Sequence, residues 1–179
     1  MKTKKLKTLL SKDKIQKRIT QLGKQITADY KGKDLVVICV LKGAFMFCAD
    51  LIRTIDLPLT VEFFGVQSYG DNTHSSGIVK TTLDVDISLE GKDVLIIEDV
   101  IDTGLTVDYL LKYFSSRNPR SLKLCTFLLK PECIQQKVDI DYCGFKIGKK
   151  FVVGYGKPCF FSFLKKLFHC ILRECFRSP

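Results

Sequence analysis

The spacing of hydrophobic positions near the start of the chain predicts an α-helix. Apolar side chains recur at intervals of four, three and four residues, which is typical of one helix face. These residues are Ile15, Ile19, Leu22 and Ile26. Ser11 stands where a helix-capping side chain is expected, and Asp13 in the first turn suits the helix dipole.

Farther along, continuous apolar runs alternate with helical patterns. The predicted strands are 35–41, 59–66, 94–97 and 122–129, the predicted helices are 44–55 and 107–114, and a polar loop is predicted over 70–77. Strands that are apolar throughout are typical of parallel sheets buried on both faces. We therefore expect an α/β fold with a central, mostly parallel sheet flanked by helices. Ligands of such sheets bind beyond the carboxyl ends of the strands, which here means residues 41–43, 98–106 and 130.

The charge of the chain lies mostly at its two ends. The net charge of the 179 residues is +10, but residues 1–33 hold 11 lysines and arginines against two acids. Residues 157–179 hold five against one, so the segment between carries a small negative charge. We interpret the N-terminal lysines as the solvated face of a helix, and we expect no nucleic-acid partner.

Hydropathy and cysteine spacing bear on location and metal binding. No apolar run is long enough to cross a bilayer, and no apolar segment follows the basic N-terminus, so we expect a cytoplasmic chain with no membrane partner. None of the eight cysteines forms a Cys-x-x-Cys pair. We therefore expect reduced thiols, some of them buried like Cys39, rather than a structural metal site.

One segment combines a strand end with residues suited to a phosphate. After the apolar run 94–97 come Glu98 and Asp99, and then Asp102, two threonines and Gly104 precede a predicted helix. Backbone N–H groups at a helix N-terminus form a cup for a phosphate dianion. The adjacent carboxylates would repel a phosphate unless a ribose diol or Mg²⁺ lay between them. The alternative is an ordinary strand, turn and helix with solvated acids.

This segment, Glu-Asp-Val-Ile-Asp-Thr-Gly-Leu-Thr over 98–106, resembles the phosphoribosyl-pyrophosphate motif of type I phosphoribosyltransferases, in the form of the hypoxanthine-guanine branch. Four further segments resemble that family in order. They are the pyrophosphate loop 41–44, a mobile loop beginning at Ser68 and Tyr69, Lys130-Pro131, and the purine-binding region 144–156. The resemblance implies a single phosphoribosyltransferase domain over 1–156, including the basic N-terminal helix region 1–33, with a small hood beside the main sheet.

The resemblance also implies roles for individual residues. Glu98 and Asp99 would hold the ribose hydroxyls and Mg²⁺, and Asp102 would be the catalytic acid or base facing the purine N7. The phosphate and pyrophosphate sites would comprise Lys42, Gly43, Asp102, Thr103, Gly104, Leu105 and Thr106, with an unusual peptide between Leu41 and Lys42. The purine site would comprise Ile101, Lys130, Phe151 and Val152. Taken alone, Lys130 also fits a solvated strand end, and Phe151 also fits a core position.

These roles imply transfer of the phosphoribosyl group to hypoxanthine or guanine, giving IMP or GMP in purine salvage. The implied partners are phosphoribosyl pyrophosphate, a 6-oxopurine base and a second copy of the chain, as a homodimer or homotetramer. The alternative function is a non-catalytic nucleotide- or RNA-binding regulator on the same fold, favoured by the basic ends.

The resemblance stops after Gly156. The family continues with Leu-Asp-Tyr and a later arginine, but Pro158 and Leu164 stand at those positions in the basic, Phe- and Cys-rich tail 157–179. This abrupt change suggests a shift of reading frame or an altered end of the gene. Apolar residues of the tail trace a helical stripe: Phe161, Leu164, Leu167, Phe168, Ile171 and Leu172. Such a stripe fits a helix packed on the domain, an interfacial membrane helix, or translated sequence without a structural role.

Overall fold

The computed structural model describes residues 6–69, 78–156 and 172–175. The strands in chain order are β1 Leu6–Leu10, β2 Leu35–Leu41, β3 Leu59–Tyr69, β4 Ile78–Leu83, β5 Asp93–Ile101, β6 Ser121–Leu129, β7 Tyr142–Lys146, β8 Val152–Val153 and β9 Leu172–Cys175. The helices are α1 Lys12–Asp29, α2 Phe45–Ile52 and α3 Leu105–Ser115, and a 3₁₀ turn covers Pro131–Cys133. None of these helices is long and apolar enough to cross a membrane.

Six strands form the central sheet in the order β4-β3-β2-β5-β6-β7. All neighbours in this sheet are parallel except β3 and β4, which are antiparallel. The expected α/β fold with a mostly parallel sheet is therefore confirmed. Because β2, β5 and β6 lie in the middle and run in the same direction, their carboxyl ends meet at one edge.

A hydrophobic layer covers each face of this sheet. On one face, alternate residues of β2, including Val37 and Cys39, pack with α1 and α2. On the other face, Val36 and Ile38 pack with α3 and with the segment after β4. This burial on both faces explains why the central strands are apolar throughout. Ser11 caps α1 as expected, since its side chain accepts a hydrogen bond from the backbone N–H of Lys14.

A second, three-stranded sheet in the order β1-β9-β8 forms the hood. β9 pairs with β1 on one side and with β8 on the other, both antiparallel. The predicted helical stripe in the tail is therefore wrong at its last residue, Leu172, which lies in β9. The physical reason is that a segment between two strands satisfies its backbone groups on both sides as a strand. The other stripe residues lie outside the described residues, and so do Pro158 and the whole of the predicted polar loop 70–77.

Other element boundaries also differ from the sequence-based expectation. β3 continues to Tyr69 because its last residues pair with β4, a strand that the sequence did not indicate. α2 ends at Ile52 rather than at residue 55. Just after this end, the backbone N–H and the hydroxyl of Thr54 both donate to the Leu51 carbonyl. α3 begins two residues earlier than predicted, directly after Gly104, whose φ of 88° places it in the left-handed region.

Candidate active site

The loop after β2 approaches the end of β5 closely. The Leu41–Lys42 peptide is cis, in agreement with the expected unusual peptide at this position. A Cβ atom on Gly43 would overlap the carboxylate of Asp99, so only glycine fits without a shift of neighbouring atoms. The predicted pyrophosphate loop and one predicted metal ligand are therefore in contact distance. Ala44, the last residue of this loop, is completely buried in the core.

Two carboxylates stand near the carboxyl end of β5. Glu98 is 8% exposed and Asp99 is half-buried, and both have interaction partners within the chain. Their oxygens are hard donors of the kind that Mg²⁺ prefers, and Mg²⁺ is commonly bound by one or two carboxylates together with substrate oxygens and water. In the described part of the chain, no three histidine, cysteine or acidic residues form a group that could hold a metal ion. A Mg²⁺ ion at this edge would therefore need ligands from a substrate and water in addition to these two carboxylates.

The segment from Asp102 to Thr106 forms a turn into α3. The Thr103 hydroxyl accepts a hydrogen bond from the backbone N–H of Leu105 at 3.5 Å. The Thr103 carbonyl accepts from the backbone N–H groups of Gln135 and Gln136, at 2.9 and 3.1 Å. This network fixes the turn at the start of α3, where the first N–H groups of a helix have no carbonyl partner four residues back, as a phosphate cup requires.

Gln135 and Gln136 were not indicated by the sequence pattern, because they lie in an irregular segment after the 3₁₀ turn. They support the cup through their backbone atoms, so their residue type carries little signal. Gly104 faces the same segment, and a Cβ atom there would lie 2.5 Å from the Gln136 carbonyl oxygen. The left-handed backbone and this close approach both explain a glycine inside the motif.

Lys130 and Asp102 form an ion pair at the ends of two adjacent strands. The Lys130 Nζ lies 2.6 Å from Asp102 Oδ2, with the lysine side chain 15% exposed and the aspartate 48%. The backbone N–H of Lys130 also donates to the carbonyl of Ile101, which is itself buried. Lys130 is therefore positioned at the site and is not a solvated strand end.

Cys133 is a further residue at this site that the sequence reasoning missed. Burial and a hydrogen bond to the Asp102 carboxylate raise the pKa of its thiol, against the smaller opposing effect of Lys130. No motif links Cys133 to Asp102, because the contact arises from the 3₁₀ turn after β6. Its placement brings a thiol beside Asp102, the carboxylate for which the resemblance implies proton transfer.

The two predicted base-binding residues have different environments. Phe151 is 57% exposed, whereas Val152, the first residue of β8, is 7% exposed. A side chain this exposed is not part of the core, so the core interpretation of Phe151 is wrong. An exposed ring next to a buried strand can instead offer a face for stacking. Ser68 and Tyr69 end β3, and their backbones pair with Val79 and Ile78. The structure does not describe their side chains.

A cavity of about 880 Å³ opens between the loop after β2, the later part of β3 and the end of β4. Its lining includes Lys42, Gly43, Gln67 and Gly156, so the pyrophosphate loop, the end of β3 and the end of the purine-binding region border one space. Together, the parallel sheet, the turn into α3 and the carboxylates of Glu98 and Asp99 match the site architecture of nucleotide-binding α/β enzymes, at the carboxyl edge of the sheet.

Comparison with known proteins identifies the family. The model of the phosphoribosyl transferase domain matches residues 5–158. A hypoxanthine-guanine phosphoribosyltransferase of Mycobacterium bovis is 50% identical over 154 residues, which cover 83% of this chain and 76% of the relative. The enzyme of the same name from Bacillus subtilis is 47% identical over 150 residues, covering 84% and 83%. This chain belongs to the phosphoribosyl transferase domain family.

Solved structures agree with this assignment. A hypoxanthine phosphoribosyltransferase from Staphylococcus aureus superposes with a TM-score of 0.87 at 38% identity, covering 95% of this chain and 91% of that one. A hypoxanthine-guanine phosphoribosyltransferase from Bacillus anthracis gives 0.86 at 40% identity, covering 94% and 97%. A third similar structure, with a TM-score of 0.86 and 38% identity, comes from work on how the C-terminal region of a Trypanosoma cruzi hypoxanthine phosphoribosyl transferase affects oligomeric state and activity.

Proposed function

We propose that this protein transfers the 5-phosphoribosyl group from phosphoribosyl pyrophosphate to hypoxanthine or guanine, giving IMP or GMP and pyrophosphate in purine salvage. The observation that carries the proposal is the Lys130–Asp102 pair beside the phosphate cup, at 2.6 Å. The names and high identity of the relatives support the same substrates.

The 5′-phosphate would bind at the turn before α3. Backbone N–H groups and the hydroxyls of Thr103 and Thr106 supply donors there, and the positive end of the helix dipole favours the dianion. The pyrophosphate would contact Lys42 and the backbone of Gly43, at the loop that approaches Asp99. Both ends of the phosphoribosyl group would thus be held at the same edge of the sheet.

The base would be recognised at the neighbouring strand end. The Lys130 ammonium donates hydrogen bonds only, so it favours the carbonyl oxygen of a 6-oxopurine and disfavours adenine, which carries an amino group there. Phe151 would stack on the ring, Val152 would contact it through its backbone, and Ile101 would lie beside it. Asp102 would accept the proton from the purine N7.

The reaction would be a displacement at C1′ of the ribose. N9 of the base forms a bond to C1′ while the bond from C1′ to the pyrophosphate oxygen breaks, and pyrophosphate leaves with the electron pair. Glu98 and Asp99 would hold the ribose hydroxyls and a Mg²⁺ ion, which when bound stabilises the charge of the departing pyrophosphate. We further propose a cytoplasmic homodimer or homotetramer.

The test is conversion of labelled hypoxanthine by the purified protein with phosphoribosyl pyrophosphate, with and without Mg²⁺. We expect IMP from hypoxanthine, GMP from guanine, and little product from adenine. Absence of both IMP and GMP would overturn the proposal. If product were absent and the chain bound RNA with an affinity that falls steeply with salt, the regulator hypothesis would replace it.

A further inference from the structure

The segment that ends the purine-binding region has an unusual backbone. Tyr155 has a φ of 51°, and its neighbours Gly154 and Gly156 have φ values of 101° and 88°. A bulky residue rarely adopts a positive φ, and it does so mainly where the surrounding structure holds it in place. Tyr155 is also only 2% exposed, so its side chain is surrounded by other residues of the domain.

Two contacts hold the Tyr155 side chain. Its hydroxyl donates a hydrogen bond to Asp50 Oδ2 at 2.6 Å, and its ring centroid lies 4.8 Å from that of Phe127. Asp50 belongs to α2, and its side chain is 11% exposed. The other oxygen of Asp50 accepts a hydrogen bond from Arg53, so this carboxylate is fixed from both sides.

These contacts join the two parts of the proposed substrate site. α2 begins two residues after Gly43, so Asp50 is rigidly connected to the pyrophosphate loop. Tyr155 lies three residues after Val152 in the segment that carries the base-binding side chains. The same segment touches the loop directly, because a Cβ atom on Gly156 would lie 2.7 Å from the Gly43 carbonyl oxygen.

We propose that Asp50 and Tyr155 are positioning residues, which hold the base-binding segment at a set distance from the pyrophosphate loop. This assignment rests on the proposed function. Neither residue touches the reacting atoms. Their hydrogen bond sets where Phe151 and Val152 stand relative to Lys42 and Gly43, and a displacement at C1′ requires base and pyrophosphate on opposite sides of one carbon at a defined separation.

A second tyrosine–aspartate pair in the chain provides a matched control. The Tyr142 hydroxyl donates to Asp29 Oδ2 at 2.7 Å, and Tyr142 is also 2% exposed. This pair joins β7 to the last residue of α1, away from the loops that line the cavity. Tyr142→Phe therefore removes the same kind of hydrogen bond from an equally buried ring, without a link to the substrate site, although its acceptor Asp29 is exposed.

The experiment compares steady-state kinetics and melting temperatures of Tyr155→Phe and Tyr142→Phe. We expect both variants to melt at lower temperature, with the larger decrease for Tyr155→Phe because Asp50 is more buried than Asp29. Tyr155→Phe should raise the KM for hypoxanthine, and that for pyrophosphate in the reverse reaction, by about tenfold, the size of one hydrogen bond to a charged group. Tyr142→Phe should leave both KM values unchanged.

Two Asp50 variants separate the hydrogen bond from the charge. Asp50→Asn keeps an oxygen acceptor and should lie near wild type in KM, whereas Asp50→Ala should match Tyr155→Phe. Equal KM values for Tyr155→Phe and wild type would overturn the assignment while the proposed function stands. A wild-type chain that neither makes nor binds IMP would overturn the proposed function, and this assignment with it.

Discussion

The ammonium group of Lys130 lies 2.6 Å from the carboxylate of Asp102, although the two residues are 28 positions apart in the chain. They meet because β5 and β6 are parallel neighbours, with Ile101 opposite Leu129 in the register. Before a base binds, the positive charge of Lys130, the proposed donor to the 6-oxo group, thus balances the negative charge of Asp102, the proposed proton acceptor. An entering purine would have to place its N7 and its 6-oxygen against this pair.

Replacing the carboxylate tests its part in proton transfer. Asp102→Asn keeps the size of the side chain but removes its basicity, so turnover should fall by roughly 10²–10⁴-fold. Binding of IMP should change little, because the backbone of the phosphate cup is retained. Kinetics and calorimetric titration with IMP measure the two effects. An equal loss of binding and turnover would instead place Asp102 in the phosphate cup only.

Gly43→Ala tests the close approach of the pyrophosphate loop to Asp99. The added methyl group would overlap the carboxylate, so either the loop or Asp99 must move. We expect a higher KM for phosphoribosyl pyrophosphate and a reduced kcat, with a smaller change in the KM for hypoxanthine. Unchanged kinetics would show that the loop can shift without cost. Circular dichroism with temperature would separate this local effect from a general loss of stability.

Alkylation of Cys133 offers a test of its place beside Asp102. Alkylation would place a bulky group beside Asp102, so iodoacetamide should inactivate the enzyme, and bound IMP should slow that inactivation. Because burial and the hydrogen bond to Asp102 raise the pKa of this thiol, the rate should keep increasing with pH above about 8.5, the value of an ordinary cysteine.

Cys133→Ala should retain most activity. Iodoacetamide should no longer inactivate this variant in the way that bound IMP slows. Cys143→Ala is the matched control, because Cys143 is also a half-buried free cysteine but lies in β7. It should react like wild type. Inactivation of Cys133→Ala at the wild-type rate would assign the effect to another cysteine.

Asp84 makes the stability of the fold vary with pH in the acidic range. Burial alone would raise the pKa of its carboxyl group, but hydrogen bonds from Tyr113, the backbone N–H of Val85 and Arg117 together lower it below the ordinary value. A lowered pKa in the folded state stabilises the protein above the unfolded value of about 3.9, and this contribution is lost as the pH falls through the folded value.

We therefore expect Asp84→Asn to lower the melting temperature at pH 7 and to flatten its decline below about pH 4. Asp86→Asn changes an exposed carboxylate of the same segment and serves as the control, with a smaller effect at pH 7. Melting curves from pH 2 to pH 7 measure both. Parallel curves for wild type and Asp84→Asn would contradict the assigned hydrogen bonds.

The tail should limit catalysis more than it limits nucleotide binding. With Pro158 at the position of the family's aspartate, a Mg²⁺ ion would depend on Glu98, Asp99, substrate and water. Introducing Leu-Asp-Tyr after Gly156 while keeping β9, which pairs with β8, should raise turnover by at least ~10-fold. IMP affinity should change little. If the natural chain already matches the repaired one, the tail supplies the missing contacts itself.

The hydrophobic pattern of the sequence was sufficient to predict the elements whose residue types are determined by burial alone. The central strands are apolar at every position because both faces are covered, and α1 repeats its apolar residues because one face is covered. The turn into α3 was also predictable, since a strand end, hydroxyl residues and a glycine before a helix stand within a few residues of one another. The resemblance placed the other site residues in order, and their strand ends indicated a shared edge.

Tertiary structure decided what depends on contacts between distant segments. β4 and the hood strands carry no strong apolar pattern, and each becomes a strand only by pairing with another. The contacts of Gly43 with Asp99, of Cys133 with Asp102 and of Tyr155 with Asp50 follow no spacing rule. The physical reason is that hydrophobic periodicity records only how deeply a residue is buried, whereas these contacts depend on which loops the packed sheet brings to one edge.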